Sequence, residues 1–110
     1  MEISKSSGTD GLTVAIKGRI SWRETDAFKA QLSEIAQSNE SRVMMDMTEV
    51  PFIDSAAIGT LVSFHAVAVE RKIEVFFVVN PTVHGIMFES NLDKVFRIVE
   101  NRDDIFLKQV

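Results

Sequence analysis

The sequence has no cysteine, which removes a disulfide framework, a thiolate nucleophile and any cysteine-based metal site. Histidine is nearly as scarce. His65 and His84 are the only two, and neither has a His, Asp or Glu near it at ligand spacing, so no metal site and no histidine-centred catalysis is expected. No run of about 18 apolar residues occurs, and the polar opening from Met1 to Gly11 lacks the apolar centre of a signal peptide. A cytoplasmic protein outside the membrane is therefore expected. Positive charge is in deficit as well: the formal net charge is −4, which argues against a broad electrostatic footprint for nucleic acid or an anionic membrane. A protein or small-molecule partner is the alternative.

Several catalytic signatures are also missing. The chain contains neither a Gly-x-x-x-x-Gly-Lys-Ser/Thr loop nor a Gly-x-Gly-x-x-Gly turn, so no nucleotide cofactor is indicated. The serine of Asp54-Ser55-Ala56-Ala57 lacks a Gly-x-Ser-x-Gly elbow and an identifiable acid/His pair, which removes the support for a hydrolase. No enzyme, no cofactor and no catalytic residue are expected.

What is present reads as an α/β domain. With 110 residues, 45% of them hydrophobic and 25% charged, the chain is long enough for a core of its own, and residues 1–110 are expected to be a single domain. Leu12, Val14 and Ile16 alternate with Thr13, Ala15 and Lys17, the period of a strand with one buried face, and Gly18 ends it. Thr25 to Gln37 places Phe28, Leu32, Ile35 and Ala36 at helical spacing, with Thr25 as a candidate cap. Arg42 to Met47 and Ile73 to Val79 read as strands buried on both faces. The methionines 44, 45 and 47 fit core packing there better than an adaptable binding surface.

Between these strands, Ala56 to Val69 is apolar around most of a helix, and Glu70, Arg71 and Lys72 mark its solvated end. Asn80-Pro81-Thr82 makes a turn into a short third helix carrying Val83, Ile86 and Met87. Val95 to Val99 is expected to be another strand, and Arg102 to Lys108 a closing helical turn. Helical crossovers between successive strands predict a largely parallel or mixed sheet, and the fold expected is a mixed β-sheet of about four to five strands packed with about four helices.

The segment Met45 to Gly59 is the most informative. It ends a buried strand and sets Asp54-Ser55 where a helix begins. The first N–H groups of a helix lack partners within it and carry the positive end of its dipole, so an anion there is partly stabilised. Either Asp54 or Ser55 could serve as a simple N-cap; Ser55 could also accept phosphate, and the two roles are compatible. Trp22, the only tryptophan, is open to two readings: an exposed interface anchor or a partly buried ring over the first helix.

Phe52-Ile53-Asp54-Ser55-Ala56-Ala57-Ile58-Gly59 resembles the signature of STAS domains, in particular bacterial anti-sigma factor antagonists, in which apolar residues and Asp precede a phosphorylatable Ser. Gly18, Asn80-Pro81 and the apolar stretch from Leu92 to Val99 fall in the family's order. The resemblance implies a partner-switching regulator that binds an anti-sigma factor or related serine protein kinase when unphosphorylated. Phosphorylation of Ser55 would release it, and a metal-dependent serine phosphatase would restore it. It implies Asp54, Ala56 and Gly59 as support for the phosphosite, and the topology inferred from the sequence makes Ser21, Trp22, Ile58 and Val62 the expected neighbours of a docked protein. Where many relatives read Asp-Ser-Ser-Gly-Leu-Gly, this chain has Ala56 and Ala57, which leaves Ser55 as the sole acceptor within the motif and gives the first turn a better helix former. Ser21 stands where many antagonists carry an acidic residue. A STAS module that serves as a constitutive subunit of an ATPase or transporter complex, without phosphorylation, is the alternative.

Overall fold

Alternation of Leu12, Val14 and Ile16 becomes the inner face of β2 (Gly11–Lys17), where all three are buried while Thr13 and Ala15 are half-buried. The computed structural model describes residues 1–99. Within them, β1 (Glu2–Gly8), β2, β3 (Arg42–Glu49), β4 (Glu74–Val79) and β5 (Arg97–Val99) form one sheet in that spatial order. β1 runs antiparallel to β2, and the other three pairings are parallel. The crossovers are α1 (Thr25–Ala36), α2 (Ser55–Glu70) and α3 (Pro81–Glu89), with short 3-10 turns at Trp22–Glu24 and Leu92–Lys94.

The mixed sheet agrees with the expectation, and three α-helices stand among the described residues. The closing turn expected at Arg102 to Lys108 lies outside them. Strands laid down in sequence order with right-handed crossovers place successive helices on one side of the sheet. Accordingly Phe28 and Leu32 of α1, Leu61 and Phe64 of α2, and Val83 and Met87 of α3 share one core with Val14, Met45 and Phe77. Complete burial of a side chain such as Phe28 or Leu61 contributes about 1.5–3 kcal/mol.

Three expectations need correction. β1 was not expected at all: Ile3 is the only apolar residue in Glu2–Gly8, and most of the strand is exposed at the sheet edge. Its hairpin pairs Gly8 with Gly11 around Thr9 and Asp10. Gly11 has φ +119°, and a Cβ there would run into the Arg42 carbonyl oxygen, so the turn requires glycine. β3 is not buried on both faces. Val43, Met45 and Met47 are fully buried, but Arg42, Met44 and Asp46 on the opposite face are half-buried. β4 is buried on both faces, and its Phe76 and Val78 join Val99 and the half-buried Met44 in a smaller cluster. Finally, Thr25 does not cap α1. Glu24, the last residue of the 3-10 turn that Ser21 introduces, holds the N-cap position.

This topology brings the loops before α1, α2 and α3 to the carboxyl ends of the parallel strands, the usual place for function in open α/β sheets.

Candidate functional site

Two loops meet at that end of the sheet. Ile20 and Ile53, both buried, form an isolated parallel bridge. The Ile20 N–H donates to the Phe52 carbonyl at 3.1 Å, and the Asp54 N–H to the Ile20 carbonyl at 3.3 Å. Asp54 is extended, with φ −100° and ψ −178°, the conformation an N-cap requires. Its carboxylate joins the two loops: Oδ1 accepts from the Ala57 N–H at 3.0 Å, and Oδ2 accepts from the Trp22 N–H at 2.8 Å.

Asp54, rather than Ser55, is therefore the cap. Ser55 is the first residue of α2, exposed to solvent, and its hydroxyl makes no hydrogen bond among the described residues. The first intrahelical bond runs from the Ile58 N–H to the Asp54 carbonyl at 3.0 Å, so the N–H groups of Ser55 and Ala56 precede the helical ladder. An anion carried on Ser55 would face these donors and the positive end of a 16-residue helix.

Around this point the other expected residues are distributed unevenly. Ser21 is half-buried and donates both its hydroxyl, at 2.7 Å, and its N–H, at 2.9 Å, to one oxygen of Glu24. The Ser21 hydroxyl first, and its amide second, hold the Glu24 carboxyl below its usual range. Trp22 is 68% exposed, so the reading of a partly buried ring fails: its 3-10 turn points the indole away from the core. Ala56 is half-buried, and its carbonyl accepts from the Thr60 hydroxyl at 2.9 Å. Ile58 is partly buried against the main core, while Val62 is exposed, about 10 Å along the helix from Ser55. Gly59 is exposed, and a Cβ built there meets nothing within 4 Å, so packing within the chain does not call for glycine. The hydrogen bonds thus tie the loop of Ser21 and Trp22 to Asp54, with Ser55 next to it in sequence, and Ile58, Gly59 and Val62 lie further along α2.

Sequence reasoning missed Glu24, Arg19 and Phe52. The guanidinium of Arg19 lies over the exposed Phe52 ring at 5.3 Å, and that of Arg23 lies over the Trp22 ring at 5.2 Å. Ser21-x-x-Glu24 has the spacing of a capping box, a signal that was available for Glu24. The two arginine–aromatic pairs carry no such local signature.

His65 is half-buried near the other end of α2, its ring tilted against Phe96 at 5.0 Å. Burial first, and the Arg97 charge second, push its pKa below the ordinary value. Among the described residues no group of three or more His, Cys, Asp or Glu side chains is placed to hold a metal ion. Among the same residues no helix is long and apolar enough to cross a membrane.

The sheet order and the crossover helices define an α/β fold with a mixed five-stranded sheet. Residues 1–105 match the family model described as STAS domain, and the chain belongs to the STAS domain family. Its fold is similar to that of an anti-sigma factor antagonist from Mycobacterium paratuberculosis: 16% identity, TM-score 0.87, covering 97% of this chain and 92% of the other. It is also similar to the Bacillus cell fate determinant SpoIIAA in its phosphorylated form: 12% identity, TM-score 0.71, covering 99% and 100%. A sulfate transporter family protein from Wolinella succinogenes has the same fold over 83% of this chain and 77% of its own, with 16% identity and a TM-score of 0.67.

Proposed function

We propose that this chain is an anti-sigma factor antagonist-like partner-switching regulator, a single cytoplasmic STAS domain that acts by binding rather than catalysis. In its unphosphorylated form it binds an anti-sigma factor or related serine protein kinase. Transfer of phosphate to the Ser55 hydroxyl ends that interaction, and hydrolysis by a metal-dependent serine phosphatase restores it. The observation that carries this reading is the division of labour between Asp54 and Ser55. Because Asp54 caps α2, the Ser55 hydroxyl is left exposed and, among the described residues, unbonded at the end of the helix where an added anion is best tolerated.

The switch needs no refolding. Phosphate adds about −1.5 to −2 charges at neutral pH, and a partner surface formed against a neutral serine then meets a strongly hydrated dianion. A loss of about 3 kcal/mol weakens binding roughly a hundredfold, enough to exchange partners. Trp22, Ser21, Ile58 and Val62 belong to the surface that the partner covers, and Asp54, Ala56 and Gly59 shape the first turns around the phosphosite.

The likeness to a sulfate transporter family protein supports a second reading, a constitutive STAS subunit of a transporter or ATPase complex. Site-mapped mass spectrometry of the protein from its native cells, with pull-downs by wild type, Ser55→Ala and Ser55→Asp, separates the two. The switch requires phosphate on Ser55 and a partner captured by wild type and Ser55→Ala but lost by Ser55→Asp. A serine that is never modified, with one partner set shared by all three forms, would overturn it in favour of the constitutive subunit.

A further inference from the structure

The chain is acidic overall, with a formal charge of −4, yet the corner beside Ser55 displays two arginines laid over exposed aromatic rings. Arg19 covers Phe52, three residues before Ser55, and Arg23 covers Trp22, whose N–H is bonded to Asp54. Among the described residues neither guanidinium has a carboxylate within ion-pair distance, a state shared with Lys29, Arg71, Lys72 and Lys94, whereas Lys5, Lys17, Arg42 and Arg97 each have one. In the same two loops Glu24 accepts from both donors of Ser21 and Asp54 from Ala57 and Trp22, so neither carboxylate is paired with a guanidinium.

An exposed tryptophan, a second aromatic ring and two arginines without acidic partners have the composition of a binding hot spot. A guanidinium stacked on a ring keeps its edge N–H donors free for a carboxylate. We infer that the Arg23–Trp22 and Arg19–Phe52 pairs form a docking face for an acidic protein segment, and that a phosphate on Ser55 competes with that segment for the same guanidinium groups. The first half stands on the arginine–aromatic geometry and the missing counter-charges. The second half rests on Ser55 being the phosphoacceptor.

The competition follows from charge. A phosphate offers three strong acceptor oxygens and pairs readily with nearby arginines. Linked to the chain at Ser55, it also acts at the high effective concentration of an intramolecular ligand. It thereby withdraws the guanidinium groups from the incoming acid as well as repelling that acid directly.

A titration followed by the Arg Nε–H resonances and by the emission of the sole tryptophan tests this. The probe is a short Glu-rich peptide containing leucine, and its control has lysine in place of each glutamate. The Glu peptide is expected to shift Arg19, Arg23 and Trp22 saturably, and the Lys peptide to leave them unmoved. Joint Arg19→Glu and Arg23→Glu substitution is expected to weaken the binding by about tenfold or more. Lysine at both positions, which keeps the charge but not the planar stacking, should weaken it about threefold. Shifts confined to other surfaces, or affinity unchanged by the double reversal, would overturn the docking face even if partner capture still depends on phosphate. Genetically encoded phosphoserine at position 55 should weaken the peptide about tenfold. Equal binding with and without that phosphate would support the docking face and overturn the competition, and would also count against the switch.

Discussion

Two strand-to-helix junctions lie side by side at the carboxyl end of the sheet, and both use the same first step. Asp54 accepts from the Ala57 N–H at 3.0 Å, and Asn80 accepts from the Val83 N–H at 2.9 Å. They differ in what is done with the rest of the capping side chain. The Asn80 amide nitrogen donates to the Thr48 and Val50 carbonyls at 3.2 and 2.7 Å, closing the loop before α2 onto the start of α3. Pro81 follows, with no N–H to satisfy and no hydroxyl to offer. The spare oxygen of Asp54 reaches across to the Trp22 loop instead, and an exposed serine follows. One junction uses all its polar groups to hold the backbone. The other is held by its own cap and, among the described residues, leaves one hydroxyl unused, which is what a modifiable site needs.

Breaking the closed junction should cost most. Asn80→Ala removes the cap together with two donors to loop carbonyls, and a loss of about 2–4 kcal/mol is expected in urea unfolding. Asn80→Asp keeps the acceptor but loses both donors, and should recover roughly 1 kcal/mol of that. If Asn80→Ala were neutral, the loop closure would be incidental to stability. The open junction ranks second. Asp54→Ala should cost about 1–2 kcal/mol for a partly exposed cap. Asp54→Asn is more informative, because its Oδ1 still caps Ala57 while its nitrogen cannot accept from Trp22. Amide exchange should then speed up at Trp22 and stay slow at Ala57. Equal acceleration at both would mean that the two bonds are not separable.

The comparison also marks what could be read from the chain. Asn80-Pro81 was legible as a helix start, because capping residue and proline are adjacent in sequence and act on the same turn. The crossover topology was legible because the strand and helix periods alternate clearly from Leu12 onwards. β1 was not, since an exposed edge strand buries only part of Ile3 and shows no alternation. Which of Asp54 and Ser55 caps α2 was left open by a local rule that both satisfy. The structure decides it through a tertiary contact, since Asp54 alone also reaches Trp22. The exposure of Trp22 was hidden for a related reason: burial of a lone aromatic depends on how its loop is tethered, not on its neighbours in sequence.

The far end of α2 gives a pH test that neither junction shares. His65 has a folded pKa below its ordinary value because burial, and then Arg97, disfavour the charged ring. The unfolded chain therefore binds the proton more readily, and stability falls as pH drops from about 6.5 through the lower folded value; above 6.5 this contribution is flat. Urea midpoints across that window should decline for the wild type, and the decline should be shallower for His65→Gln. An identical decline in both would assign the pH dependence to other groups.

The smallest expected effect on stability is the one that makes the open junction resemble the closed one. Ser55→Pro puts proline at the first helical position of α2, where Pro81 stands in α3. Proline there costs no hydrogen bond, because the Ser55 N–H precedes the helical ladder, and its fixed φ suits a first turn. It also requires the preceding residue to be extended, and Asp54, with ψ −178°, already is, as Asn80 is at ψ 168°. Stability should therefore stay within about 1 kcal/mol of wild type, or rise slightly through the restricted unfolded chain. The acceptor hydroxyl, by contrast, is gone. Under the partner-switching reading the variant stays bound under conditions that release wild type, as Ser55→Ala does, while its urea midpoint stays close to the wild-type value. A severe loss of stability would show that the first turn of α2 is held by something other than the Asp54 cap. Retained release would place the modification elsewhere in the chain, and the difference between the two junctions would then be structural only.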